Sequence, residues 1–236
     1  MIKAVFFDWF NTLARYEPPR EELQSQTLRE FGIKVSPEKL RHALWAADGD
    51  YFEENARSPI RKRTPEEQAK VYIRYQQTVL TEAGINTPVT SETLLKVMQR
   101  MRQLSGTLKF VLFGDVLPVL KTLKKQKLTV ALLTNLDRDM KPLCQGLGLE
   151  PYLDFFVTSA EAGADKPEPP IFLEALKRAK ADASEAVHIG DQYKVDVVGA
   201  KNVGITPILL DRYDLSPEVD CVRIHSLTEV VDYLKQ

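Results

Sequence analysis

Four short segments combine the side chains that nucleophilic and phosphate-handling chemistry requires. The first is Asp8-Trp9-Phe10-Asn11-Thr12, in which Asp8 directly follows an apolar run. An aspartate held rigidly at a strand end and partly shielded from water can attack phosphorus or carbon. Thr134-Asn135 follows another apolar run and offers a hydroxyl, an amide and free backbone N–H groups, all of them donors to an anion. Lys166-Pro167-Glu168-Pro169-Pro170 carries a compact positive charge on a chain stiffened by proline, suited to neutralising a carboxylate or a transferring phosphoryl group. In Gly190-Asp191-Gln192-Tyr193-Lys194-Val195-Asp196 a glycine turn is followed by two carboxylates. Carboxylates gathered beside Asp8 repel one another unless a divalent cation intervenes, and hard oxygen donors with water select magnesium. Taken singly, each segment has a commonplace use as a turn, a helix cap or a surface lysine. Their weight lies in order, spacing and placement together.

The placement follows from the elements between them. Short apolar runs at 2–7, 128–133, 155–158, 186–189 and 206–210 predict strands buried on both faces. Helix-like segments at 137–147, 168–180, 192–203 and 226–235 alternate with them. Another helix, capped by Asp115, presents Val116, Val119, Leu120 and Leu123 at the spacing of one buried face. The alternation predicts an α/β fold, a Rossmann-like parallel sheet flanked by helices, whose strand ends would bring the four segments to one edge.

The interval 15–109 breaks the rhythm and predicts an inserted all-helical cap, leaving 1–14 and 110–236 as the core. Its helix starts are legible in Ser36-Pro37, in the capping box Thr64-Pro65-Glu66-Glu67, and at Ser91. An insertion directly after the first strand sits above the carboxyl edge, as a lid would.

Bulk properties narrow the function classes. The 236 residues are 44% hydrophobic, enough for a large core, and 32 basic residues against 33 acidic ones leave no global field for nucleic acid or an anionic membrane. Partners must therefore be inferred from a site, and composition leaves the oligomeric state open. Cys144 and Cys221 stand far apart, without the spacing of a zinc site or a disulfide framework. No run is long enough for a signal peptide or a membrane helix, so a cytoplasmic protein is expected. Arg41-His42 and Arg61-Lys62-Arg63 read as the edge of a packed helix and a solvated turn, and His188 reads as a core position within a strand.

In order and spacing, Asp8-x-x-x-Thr12, Thr134-Asn135, Lys166-Pro167 and Gly190-Asp191-x-x-x-x-Asp196 resemble the four signature motifs of the haloacid dehalogenase superfamily. Glu161-Ala162-Gly163 and Gly199-Ala200 add similarity to its phosphoglycolate phosphatase and dehalogenase branch, whose helical cap the insert resembles in position and character. The resemblance implies that Asp8 forms a covalent intermediate while Thr134 and Lys166 hold the transferring group. It further implies that Thr12 and Asn135 bind and position substrate. Magnesium would be held by Asp8, the main-chain carbonyl of Phe10 and Asp191, with Asp196 in support.

Phe10 departs from the pattern of the family's phosphatases, which carry a second aspartate there to protonate the leaving oxygen and then activate water. A phenyl ring moves no proton, a function worth roughly 10²–10⁴ in rate. Three readings remain. Phosphatase-type hydrolysis of a small organophosphate with an activated leaving group, or with an acid from the cap or substrate, ranks first. Carbon–halogen hydrolysis needs no proton donor and suits an aromatic residue at position 10, but Asp191 has no counterpart in those metal-free enzymes. Phosphonatase-type chemistry would require a cap lysine, and Lys39, Lys62 and Lys70 stand in no recognisable motif. A non-catalytic member that binds a phosphorylated ligand or a protein is a further class.

Overall fold

A computed structural model describes residues 1–106 and 108–235. The chain divides into two compact units, one comprising 1–15 and 111–236 and the other 16–110.

The first unit is built on a six-stranded parallel sheet: β1 (Ala4–Phe7), β4 (Thr129–Thr134), β5 (Phe155–Thr158), β6 (Ala186–Gly190), β7 (Thr206–Leu210) and β8 (Val222–Ile224), in spatial order β5-β4-β1-β6-β7-β8. β1 is central, paired in register with β4 (Phe7 opposite Leu132) and with β6 (Phe7 opposite Ile189). All four of its residues are buried, which explains its unbroken apolar run. The strand order reverses at β1, so a crevice is expected at its carboxyl end.

Helices α5 (Val116–Lys125), α6 (Lys141–Gly146), α7 (Ser159–Ala162), α8 (Pro169–Ala179), α9 (Val198–Asn202) and α10 (Thr228–Tyr233) complete this unit. Ile171, Phe172 and Ala175 of α8 join Ala200 of α9, Phe6, Ala131, Leu133 and Val157 in one core. α5 buries Val116, Val119, Leu120 and Leu123 and packs on β4 and α10.

Several expected elements differ in extent. The helix expected at 137–147 is α6 alone, preceded by a loop in which Asp139 accepts the Lys141 N–H at 2.9 Å. The stretch 192–203 opens with a π-helical turn at Tyr193–Val197 before α9, in which the Val198 N–H donates to the Tyr193 carbonyl. Asp115 precedes α5 but makes no capping hydrogen bond. Strand β8 escaped sequence reading, since two of its three residues are exposed and it forms no apolar run.

The second unit holds helices α1 (Arg20–Glu30), α2 (Pro37–Arg57), α3 (Pro65–Glu82) and α4 (Ser91–Ser105). α1 and α3 each pack against both α2 and α4 around Leu28, Leu40, Leu44, Val79, Leu94 and Val97. The caps at Ser36 and Thr64 form as the sequence indicates, the latter with its full capping box, whereas α4 is capped one residue early, by Thr90. Where the sequence suggested helix alone, β2 (Ala14–Glu17) pairs with β3 (Lys109–Leu112) in a two-stranded ribbon, and Tyr16 stacks on Phe110. Four-residue strands are too short to reveal their period. No helix among the described residues is long and apolar enough to cross a membrane.

A polar knot sits in the helical unit. Asp48, buried, accepts from Arg20 at 2.5 and 3.2 Å and from the Tyr75 hydroxyl at 2.7 Å. Removing one partner of a buried pair strands the other charge, so Asp48→Ala is expected to cost about 3–5 kcal/mol in denaturant unfolding. Tyr75→Phe, which removes one neutral donor, should cost about 1 kcal/mol. Equal, sub-kilocalorie effects would show that the knot is solvated.

Candidate active site

Residues just past the ends of the three central strands converge. Asp8 stands one step beyond Phe7, and its N–H donates to the Ile189 carbonyl at 2.8 Å. The carboxylates of Asp8, Asp191 and Asp196 lie within 4.8 Å of one another. Among them stands Lys166, 1% exposed, whose ammonium donates to Asp8 and to Asp196, each at 2.6 Å.

Each member is held by its neighbours. The Asn135 side chain brackets the Lys166 main chain, accepting its N–H at 2.7 Å and donating to its carbonyl at 3.0 Å. The Lys166–Pro167 peptide is cis. Asp196 is fully engaged: one oxygen meets Lys166 and, at 2.9 Å, His188 Nε2, while the other accepts the Gln192 N–H at 3.1 Å. Gly190 permits this approach, since a Cβ there would lie 2.1 Å from the Asp196 carboxyl carbon. Gly199 does the same for the lysine loop, where a Cβ would meet the Phe172 ring at 2.6 Å and Pro167 Cα at 3.0 Å. Asp191 accepts from Asn11 at 3.3 Å and from Gln192 at 3.2 Å.

The remaining expected site residues lie on the same edge. Thr134 ends β4, buried, its hydroxyl accepting the Leu136 N–H at 3.2 Å. Thr12 is buried, and its hydroxyl has no hydrogen-bond partner among the described residues. Phe10 lies in the tight turn after β1, its backbone bridged to Ala14. Sequence reasoning gave no role to Asn11 or Gln192 and treated His188 as packing alone. His188 is indeed buried in the core, edge-on to Phe172, yet it also tethers Asp196. Asn11 takes a left-handed backbone (φ 59°), a conformation asparagine adopts more readily than most non-glycine residues.

The electrostatics are unbalanced, with three carboxylates facing one ammonium. Burial pushes Asp8 up to about 6, with Asp196 adding to the shift and Lys166 opposing it. Burial, then the charges of Asp8 and Asp196, hold Asp191 well above the usual carboxylate range. Burial would also raise Asp196, but Lys166 and His188 outweigh it and hold the group low. Burial alone would lower Lys166, yet Asp196 and Asp8 keep it raised and charged. Burial lowers His188 despite its contact with Asp196, favouring the neutral ring. A hard-oxygen donor set with about two uncompensated negative charges suits a divalent cation such as Mg²⁺.

Comparison with known proteins agrees with this arrangement. The haloacid dehalogenase-like hydrolase family matches residues 2–204. The chain is 26% identical over 214 residues to haloacid dehalogenase-like hydrolase domain-containing protein 3 of Danio rerio, covering 90% of this chain and 86% of that protein. It is 27% identical over 219 residues to a ribulose-1,5-bisphosphate 5-phosphatase of Halopiger xanaduensis, covering 89% and 85%. A solved 2-haloacid dehalogenase from Pseudomonas syringae pv. Tomato superposes with a TM-score of 0.59 at 28% identity, covering 100% of this chain and 99% of that one.

The shifts fix the sign of a pH dependence. Asp8 and Asp191 bind protons more tightly folded than unfolded, so their stabilising contribution is complete below about pH 4 and is lost as pH rises through the folded values. The depressed Asp196 works oppositely, losing its contribution only in stronger acid. The Tm of metal-free protein should therefore fall from about pH 5 to 7, and Mg²⁺ should restore it more at the higher pH. Asp191→Asn should raise the metal-free Tm at neutral pH and abolish the Mg²⁺ response; a flat profile with an undiminished response in the variant would contradict this.

Proposed function

Because the chain belongs to the haloacid dehalogenase-like hydrolase family, we propose that it is a phosphatase-type hydrolase of a small organophosphate, using Asp8 as nucleophile and Mg²⁺ as cofactor. The observation that carries this reading is the Lys166 ammonium 2.6 Å from Asp8, inside a cluster of three carboxylates. In this reading Asp8 attacks phosphorus, the bond to the leaving oxygen breaks, and water later cleaves the resulting acyl phosphate. Lys166 and Thr134 hold the transferring group, Thr12 contributes its unpaired hydroxyl, and Asn135 keeps Lys166 in place. Asp8, Asp191 and the Phe10 carbonyl would hold Mg²⁺, supported by Asp196. When bound, Mg²⁺ supplies the positive charge that lets a phosphate dianion approach these carboxylates. The inserted helical segment expected at 15–109 is assigned as the cap domain. Likeness to a bisphosphate phosphatase supports a phosphate ester as the substrate.

Phe10 limits this chemistry, because neither protonation of the leaving oxygen nor activation of water has a side chain at that position. Substrates with good leaving groups are therefore expected to turn over best, and the acyl phosphate to be long-lived. Phe10 and the similarity to a haloacid dehalogenase favour, as a second reading, halide displacement, which needs no acid. Asp191 counts against it, since burying a third carboxylate without a cation is unfavourable.

An assay with aryl and alkyl phosphates and 2-haloacids, with Mg²⁺ and with chelator, separates the two. Mg²⁺-dependent phosphate release, abolished by Asp8→Asn and accelerated by Phe10→Asp by up to roughly 10²-fold, supports the first. Chelator-insensitive halide release would replace it with the second, and neither activity would point to a binding protein.

A further inference from the structure

Arg212 follows β7 by two residues, at the same sheet edge as Asp8, and lies beyond the residues 2–204 matched by the family. Its side chain is 10% exposed. The two terminal guanidinium nitrogens grip Asp115 end-on, at 2.9 and 3.0 Å. One of these nitrogens also donates to the Thr12 carbonyl at 2.9 Å. The guanidinium carbon sits 4.0 Å from the centroid of the Phe113 ring. Asp115 in turn accepts from the Ser226 hydroxyl at 3.0 Å and the Leu227 N–H at 2.9 Å, at the entrance to α10.

One charged node thus touches three stretches of chain. Thr12 belongs to the turn that carries Asp8. In that turn Leu13 and Ala14 both donate to the Trp9 carbonyl at 3.0 Å, and Asn11 donates to the Ala14 carbonyl at 2.7 Å. Phe113 and Asp115 lie just after the chain re-enters the first unit at residue 111. The Phe113 N–H donates to the Leu13 carbonyl at 3.1 Å, so departure and return are already joined by backbone. Only a planar fork with several donors can hold both oxygens of a carboxylate, reach a carbonyl and lie on a ring at once; an ammonium cannot.

We propose that Arg212 is a positioning residue that clamps the nucleophile turn, through the Thr12 carbonyl, to the return segment and the C-terminal helix. The C-terminal region, 205–236, is on this view part of the active-site scaffold. The catalytic consequence rests on the phosphatase reading above, whereas the clamping does not.

The test uses the full-length chain with Arg212→Lys, which keeps the charge but not the fork, and Asp115→Asn and Arg212→Met as further variants. Backbone hydrogen exchange is followed at Asn11, Leu13, Ala14 and Phe113, with Val187 and Ile189 of β6 as internal controls. Exchange at the first group should rise by about tenfold or more in Arg212→Lys, with the β6 amides unchanged. Turnover of an aryl phosphate should fall in kcat by about tenfold or more, with KM altered by less than about threefold. Unchanged exchange in the turn, or an equal rise at both groups, would overturn the clamp. Loosened exchange with unaltered kcat would overturn the positioning role. If the wild-type chain releases no phosphate, the exchange data still decide the clamp while the phosphatase reading alone falls.

Discussion

A single buried ammonium among three carboxylates is the constraint around which the rest of the core is arranged. Lys166 meets Asp8 and Asp196 at 2.6 Å each, nearly cut off from solvent. In so dry a place an ion pair is favourable only when geometry is close and the remaining donors and acceptors are occupied. The surrounding structure supplies those conditions: Asn135 brackets the lysine backbone, Gly199 admits the loop that bears it, and Gly190 lets Asp196 fold back to it. His188 and the Gln192 N–H give Asp196 two further partners.

Once Asp196 and Lys166 are so engaged, the excess charge falls on Asp8 and Asp191. Both carboxyls are pushed upward, and Asp191 is steadied by the two neutral amides of Asn11 and Gln192. Charge held apart from its compensation by a rigid scaffold is what makes a site receptive to a cation and an anionic substrate together. Phe10, in the turn after β1, carries no side chain able to move a proton.

The parts of this structure that sequence reveals are those written locally. Buried parallel strands announce themselves as apolar runs, and the capping box at Thr64 and Glu67 spans only four residues. The four chemical segments could be brought together on paper because each ends such a run or opens the helix after it, and their carboxylates and ammonium do lie together. What stayed hidden depends on partners distant in sequence. Asp115 looks like a helix cap, but its carboxylate is held by Arg212, 97 positions away. His188 looks like packing because its tether to Asp196 exists only once the chain curls over Gly190. Asn11 and Gln192 are ordinary polar residues until the sheet places them beside Asp191. Short elements were missed for another reason: β2 and β8 are too brief and too exposed for any period to show.

The most direct measurement counts ions. Electron paramagnetic titration of the metal-free protein with Mn²⁺, a spectroscopic stand-in for Mg²⁺, reports free and bound ion without any assumption about substrate. One saturable Mn²⁺ per chain, displaced by Mg²⁺ and lost in Asp191→Ala, is the expected result. Absence of saturable binding, or binding that survives that substitution, would contradict a divalent centre formed by these carboxylates.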